Sequence, residues 1–254
     1  MTTKKVVKKV YKRNFLKSVI LRFDFDQADV TFLSSFSEKI SKDYPFSKQD
    51  SEKSYLFEVK DNNVERIEEK NLYWQFSNPT QNKILKLAST SLTLEYQASY
   101  KSSKDLLETL NDVCIPFLND AQVKTVNRIG LRYINYIDFK EIKKDFKLSD
   151  YLSKKLLSTI EFAEKIKGKV SRQMSQLSLK KEDTEITFNF GIWNNDFPSE
   201  NTRNEFLMDI DCYSRFPIEN NTADLVSKIE KYNLYVQDIF EKSITEKFRD
   251  FLNK

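Results

Sequence analysis

Runs of two-residue alternation recur along this chain and constrain its fold more than any other feature: SVILRFDF (18–25), YLFEVK (55–60), LYWQFSN (72–78), KILKLAST (83–90), LTLEYQAS (92–99), VNRIGLRYINYID (126–138) and EFLMDIDCY (205–213). Alternation puts one set of side chains on each face of a strand, and the Asn, Asp, Ser and Pro clusters between the runs suit hairpin turns. An antiparallel sheet is the expected outcome. A strand over 124–139 opens a second series, which continues with strands near 169–180 and 184–193.

Helical spacing interrupts both series. Val30, Leu33, Phe36 and Ile40 predict a helix capped by Asp26 or Asp29 and ended before Pro45. Leu106, Leu110, Val113 and Phe117 form one stripe over 103–120, with a kink expected at Pro116. A short helix is expected near 148–156. A final helix over 221–252, with Thr222 as N-cap, carries Leu225, Ile229, Tyr232, Val236, Phe240, Ile244, Phe248 and Phe251 at spacings of three or four. Such a helix is roughly 45 Å long, more than one sheet needs for cover, so Phe248 and Phe251 near its end are candidates for a partner surface.

The two series share the order strand, helix, strands, helix. The expected fold class is α+β: antiparallel sheet in two similar halves, 18–122 and 123–254, with long helices packed on one face. Linkers rich in Gly, Pro or Ser are missing, so one packed body is expected after a basic arm at 1–17.

Composition narrows the chemistry. The 254 residues are 39% hydrophobic, with twenty Phe and twelve Tyr, and so describe a folded chain with an aromatic core. Histidine is absent, which removes Ser-His-Asp and Cys-His catalysis and imidazole-ligated zinc. Glycine occurs only at Gly130, Gly168 and Gly191, so the glycine-rich phosphate loops of dinucleotide-binding and P-loop proteins are missing. No cofactor is expected. Cys114 and Cys212 lack metal-ligand spacing and read as buried free thiols. The first twenty residues lack the apolar centre of a signal peptide, and no run of about eighteen apolar residues occurs, so a cytoplasmic protein without membrane attachment is expected.

Charge is uneven under a net +4. Lys4, Lys5, Lys8, Lys9, Lys12, Arg13 and Lys17 precede the first acid, Asp24. A basic arm can hold nucleic acid through phosphate contacts, although most such arms are solvated termini. Trp74 and Phe76 share a strand face and could stack on bases, with core packing as the simpler reading. IWNNDF (192–197) reads as a loop in which Trp193 and Asn194 touch a partner.

The stretch around Gly130 is the candidate site. Arg128, Gly130 and Arg132 share one strand face, and Asp209 and Asp211 share one face of a later strand. Brought together, two arginines would meet two aspartates. Such a set is either a partly buried structural network or a polar pocket in which guanidinium forks hold an anionic carboxylate or phosphate. Asp-x-Asp on a strand can also hold Mg²⁺ for phosphoryl transfer.

The run Arg128-Ile129-Gly130-Leu131-Arg132-Tyr133-Ile134-Asn135, the later Asp209-Ile210-Asp211 and a long C-terminal helix bearing DIFEKSIT resemble a sporadically distributed family of uncharacterised bacterial proteins of about 250 residues. The resemblance covers nearly the whole chain. It implies that Arg128, Gly130, Arg132, Asn135, Asp209 and Asp211 are hallmark positions and that the source is bacterial. It implies no mechanism, and patchy distribution associates such genes with phage defence and toxin–antitoxin loci. The expected function is therefore a non-catalytic binding or regulatory protein acting through a protein partner, a second copy of itself or a small anionic ligand. The alternatives are a metal-dependent phosphodiesterase or nuclease using Asp209 and Asp211, and nucleic-acid binding by the basic arm.

Overall fold

A computed structural model describes residues 11–28, 31–60, 63–139, 147–199 and 205–254, with the backbone alone over 52–71. The chain begins with β1 (Leu16–Asp24), α1 (Leu33–Ile40), β2 (Phe46–Lys60), β3 (Asn63–Ser77), β4 (Lys83–Ala88) and β5 (Ser91–Gln97). It continues with α2 (Ser103–Thr109), a π turn over Leu110–Cys114, α3 (Ile115–Asp120), β6 (Thr125–Val126), β7 (Arg128–Asp138), α4 (Leu148–Tyr151) and α5 (Ser158–Lys165). The last elements are β8 (Gln173–Lys181), β9 (Thr184–Ile192), β10 (Glu205–Ser214), β11 (Ile218–Glu219), α6 (Thr222–Ser243) and α7 (Glu246–Leu252). The fold class is α+β, with nine strands, β1 to β5 and β7 to β10, in antiparallel sheet.

Two compact units divide the chain. The first comprises Ile20–Ile129 and Arg215–Leu225; the second comprises Met1–Val19, Gly130–Ser214 and Val226–Lys254. In the first unit the strands run β2-β3-β4-β5-β1, and in the second β7-β10-β9-β8. Within each unit, the strand that precedes the helix pairs with the last strand of the following meander. Two segments cross the halves expected at 122/123: residues up to Val19 belong to the second unit, and residues 215–225 to the first, where Ile218 pairs with Val126.

The first unit packs around rings. Phe36 of α1 lies 5.3 Å from Phe117 of α3 and 6.5 Å from Phe76 of β3, edge to face. Phe76 is therefore core, while Trp74, two residues away, is 37% exposed. The stripe Leu106, Leu110, Val113 and Phe117 is buried, as its spacing predicts. The helical ladder changes character just before Pro116. A π turn widens the backbone ahead of it, and the proline enters the first turn of α3, where its missing N–H is not needed. The Asp cap predicted for α1 is also absent: the N-cap is Phe32, Asp26 accepts a hydrogen bond from Asn127 instead, and Asp29 lies outside the described residues.

β2 and β3 pair residue for residue from Phe46↔Ser77 to Lys60↔Asn63, which makes each more than twice as long as its apolar run. The polar segment SKQDSEKS carries no alternation, so sequence periodicity locates only the apolar half of each strand.

In the second unit α6 covers one face of the sheet. Tyr133 donates to Asn233 at 3.0 Å, and Lys231 reaches Asp183 at 2.7 Å in the β8–β9 turn. The N-cap of α6 is Asn221 rather than Thr222, because its Oδ1 accepts from the amides of Ala223 and Asp224.

The single final helix is broken in two. Ser153 N–H donates to the Ser243 carbonyl at 2.8 Å, Thr245 N–H donates to the Tyr151 carbonyl at 3.0 Å, and Thr245 Oγ1 then caps α7 at the Phe248 amide. Hydrogen bonds from a distant segment thus replace the helical ladder where two β-branched residues weaken it. The break turns Phe248 inward, fully buried against Phe15, Phe139 and Tyr151 at 5.9–6.1 Å. Phe248 is core and not a partner surface; Phe251 stacks on Phe15 at 6.3 Å.

The described end of the basic arm is equally built in. Tyr11 donates to Glu241, Arg13 N–H donates to the Leu252 carbonyl at 3.0 Å, and the Arg13 guanidinium lies 5.1 Å from the Phe251 ring centroid. Lys12 is exposed, Lys17 belongs to β1, and Lys4, Lys5, Lys8 and Lys9 lie outside the described residues. No helix among the described residues is long and apolar enough to cross a membrane.

A cation-lined cleft as candidate functional site

Strand parity gives the second unit two chemically different faces. On β7, Leu131, Tyr133, Asn135 and Ile137 point to the helix-covered side, while Arg132, Ile134 and Tyr136 point the other way. On β10, Met208, Ile210 and Cys212 are core, and Leu207, Asp209 and Asp211 share the opposite face. Asn135, expected in the polar network, therefore sits on the wrong face for it and is buried beneath the helices.

Arg132 meets Asp209 through a two-pronged bond, Nε to Oδ1 and Nη2 to Oδ2, both 2.7 Å. Asn189 of β9 donates to Asp209 Oδ2 at 3.2 Å, and Gln176 of β8 donates to Asn189 Oδ1 at 2.9 Å. The register sets Asp209 opposite Asn189 and Asn189 opposite Gln176. Arg132, Asp209, Asn189 and Gln176 thus form one polar row across four strands. The hydrogen bonds that Arg132 donates to Asp209 hold its pKa above the ordinary value against partial desolvation, with a further coulombic pull from Asp211.

Of the four residues in the expected Arg–Asp network, Arg132 and Asp209 form a direct pair. Arg128 lies in the first unit, where it reaches Asp24 at 3.5 Å beside the 2.7 Å pair of Arg22 with Asp24. Asp211 pairs in register with Thr187. Among the described residues no group of three or more carboxylates or thiols is placed to hold a metal ion.

The polar row is one wall of an open cleft of about 810 Å³ that lies entirely within the second unit. Ile134, Leu207 and Met174 line it one step along the sheet, where Gly191 separates Leu207 from Met174 in register and adds no side chain. Tyr136, Asn195, Trp193 and Arg172 also bound the cleft, and Lys17 contributes a third cation. Tyr136 donates to Glu205 and accepts from Asn195 Nδ2 at 3.1 Å, which fixes its ring.

Arg172 lies over the Trp193 indole, 3.9 Å from its centroid, and 5.5 Å from that of Phe197. Stacking engages the flat faces of a guanidinium and leaves its in-plane N–H donors open. Neither Arg172 nor Lys17 has a carboxylate partner among the described residues, and Arg132 Nη1 is likewise uncommitted. The cleft therefore offers more positive charge than its own acids neutralise.

The predicted loop partners divide. Trp193 is 37% exposed and bounds the cleft, whereas Asn194 is buried: its Nδ2 donates to the Ser199 carbonyl at 2.9 Å and its Oδ1 accepts from the Asp196 amide at 3.0 Å. Asn194 shapes the loop and is not a contact surface. Sequence reading missed Arg172, Gln176, Asn189, Tyr136 and Asn195. Parity offered a signal for Asn189, two residues before Gly191 on the same strand face. No family model matches this chain, and no curated protein matches it.

Proposed function

We propose that this chain is a non-catalytic binding protein whose second-unit cleft takes a small anionic ligand. The observation that carries this reading is the placement of Arg132, Arg172 and Lys17 around one concave surface that Asp209 only partly neutralises. Asp209 acts as the fixed counter-charge that aims Arg132, in the manner of carboxylates that orient guanidinium forks. The same bond argues against the metal-dependent alternative, because a divalent ion at Asp209 would have to displace a guanidinium already bound to both carboxylate oxygens. On this reading the protein acts in the cytoplasm and belongs with the bacterial family that its RIGLRYIN strand resembles.

Melting temperature tests the proposal. Phosphate, tripolyphosphate and citrate at millimolar concentration form the panel, and at least one should raise the melting point of the wild type by several degrees. Arg172→Ala should abolish the shift. A wild type that melts at the same temperature with every anion, or a shift that survives both Arg132→Ala and Arg172→Ala, would sink the reading.

A further inference from the structure

Resting on the anion reading, we infer that the ligand is a nucleotide, with its phosphates on the arginines and its base against the Trp193 wall. Three features separate this from capture of a bare anion. First, the cleft is larger than phosphate or citrate requires: about 810 Å³ falls in the range of pockets that enclose whole cofactors and drug-sized ligands. Second, the cations are not gathered at one point but share the cleft with an aromatic and apolar wall, Trp193, Tyr136, Ile134 and Met174. An anion alone has no use for that surface, whereas a base stacks on aromatic faces and on guanidinium planes. Arg172 over Trp193 supplies both in one fixed unit. Third, the amides of Gln176 and Asn195, both exposed at the cleft, carry the paired donor and acceptor that base edges present. The absence of a glycine-rich loop means that side chains, not a backbone cradle, take the phosphates.

The experiment reads Trp193 directly. The chain has two tryptophans, Trp74 and Trp193, so Trp74→Phe leaves Trp193 as the sole reporter. ATP, GTP, CTP and UTP are titrated against this variant, with tripolyphosphate and adenosine as the phosphate-only and base-only probes and a short single-stranded oligonucleotide as the polymeric source. At least one nucleotide should quench Trp193 and bind about tenfold or more tighter than tripolyphosphate, the scale expected of one stacked base. Trp193→Leu, read by calorimetry, should bring that nucleotide to the tripolyphosphate affinity. Arg172→Ala should weaken nucleotide and tripolyphosphate alike. Binding of the oligonucleotide with the same dependence on Trp193 and Arg172 would keep the chemistry and assign it to a nucleic-acid strand. Tripolyphosphate binding as tightly as every nucleotide, or indifference to Trp193→Leu, would overturn the nucleotide inference and leave the anion site standing. No binding of any anion would remove both.

Discussion

Arg132 and Asp209 form a pair of unequal exposure: the arginine side chain is 44% exposed, its aspartate 7%. Removing the guanidinium leaves a carboxylate that water barely reaches, still accepting a hydrogen bond from Asn189. Arg132→Ala should therefore cost about 1–3 kcal/mol of unfolding free energy, whereas Arg172→Ala, an exposed cation on a ring, should cost less than about 0.5 kcal/mol. Urea denaturation of the two variants checks the contrast, and equal losses would mean that Arg172 is structural too. Parity alone made the Arg132 and Asp209 faces legible, because a strand alternates whatever its neighbours are. The approach of Arg128 to Asp24 was not legible, because Asp24 is more than a hundred positions from Arg128 in sequence.

Elements repeat the lesson at a longer range. Alternation located the strands wherever one face is apolar, and it failed along β2 and β3 where the segments are polar on both faces. Helical spacing found α6 and α7 as one stripe, because the break at Ile244 and Thr245 is imposed by the carbonyl and amide groups of residues 151 and 153. Gly191 is an element-scale requirement of the same kind. It adopts φ +144°, and a Cβ there would lie 2.0 Å from the Gln173 carbonyl oxygen across the β8–β9 pair. Gly191→Ala should destabilise the protein by about 1–3 kcal/mol, since backbone rather than a flexible side chain must move. A thermal midpoint unchanged by this substitution would contradict the strand geometry beside the cleft.

Across the whole molecule, the titrating groups set the response to pH. Without histidine, no imidazole links folding to protons between pH 6 and 8, so stability should be nearly flat there. Burial pushes Cys114 and Cys212 from 9.0 up to about 12, and Tyr232 from 10.0 to about 12. Tyr44 and Tyr96 are raised by burial as well. Each of these groups loses its proton more easily when unfolded, so the unfolded state binds fewer protons and stability falls as pH rises from about 9 toward 12. Asp183, held low by its hydrogen bonds from Lys228 and Lys231, acts in the other direction. Its contribution is complete above the ordinary carboxylate range and is lost as pH falls toward its folded value. Chemical denaturation from pH 3 to pH 11 should show a plateau through neutrality with decline on both sides. A decline between pH 6 and 8 would reveal a titrating group other than these. The two thiols should also stay unreactive to a thiol reagent at pH 8 until the protein unfolds.

The sequence by itself determined the α+β class, the antiparallel strands, the buried thiols and the facing of Arg132 and Asp209, because periodicity and residue chemistry are local properties. Only the tertiary structure decided which acid each arginine meets, where the last helix breaks, that Phe248 and Asn194 are interior, and that Arg172, Trp193, Asn189 and Gln176 join Arg132 around one cleft. Those outcomes depend on strand register and on hydrogen bonds between segments far apart in the chain, and no local pattern encodes a partner at that distance.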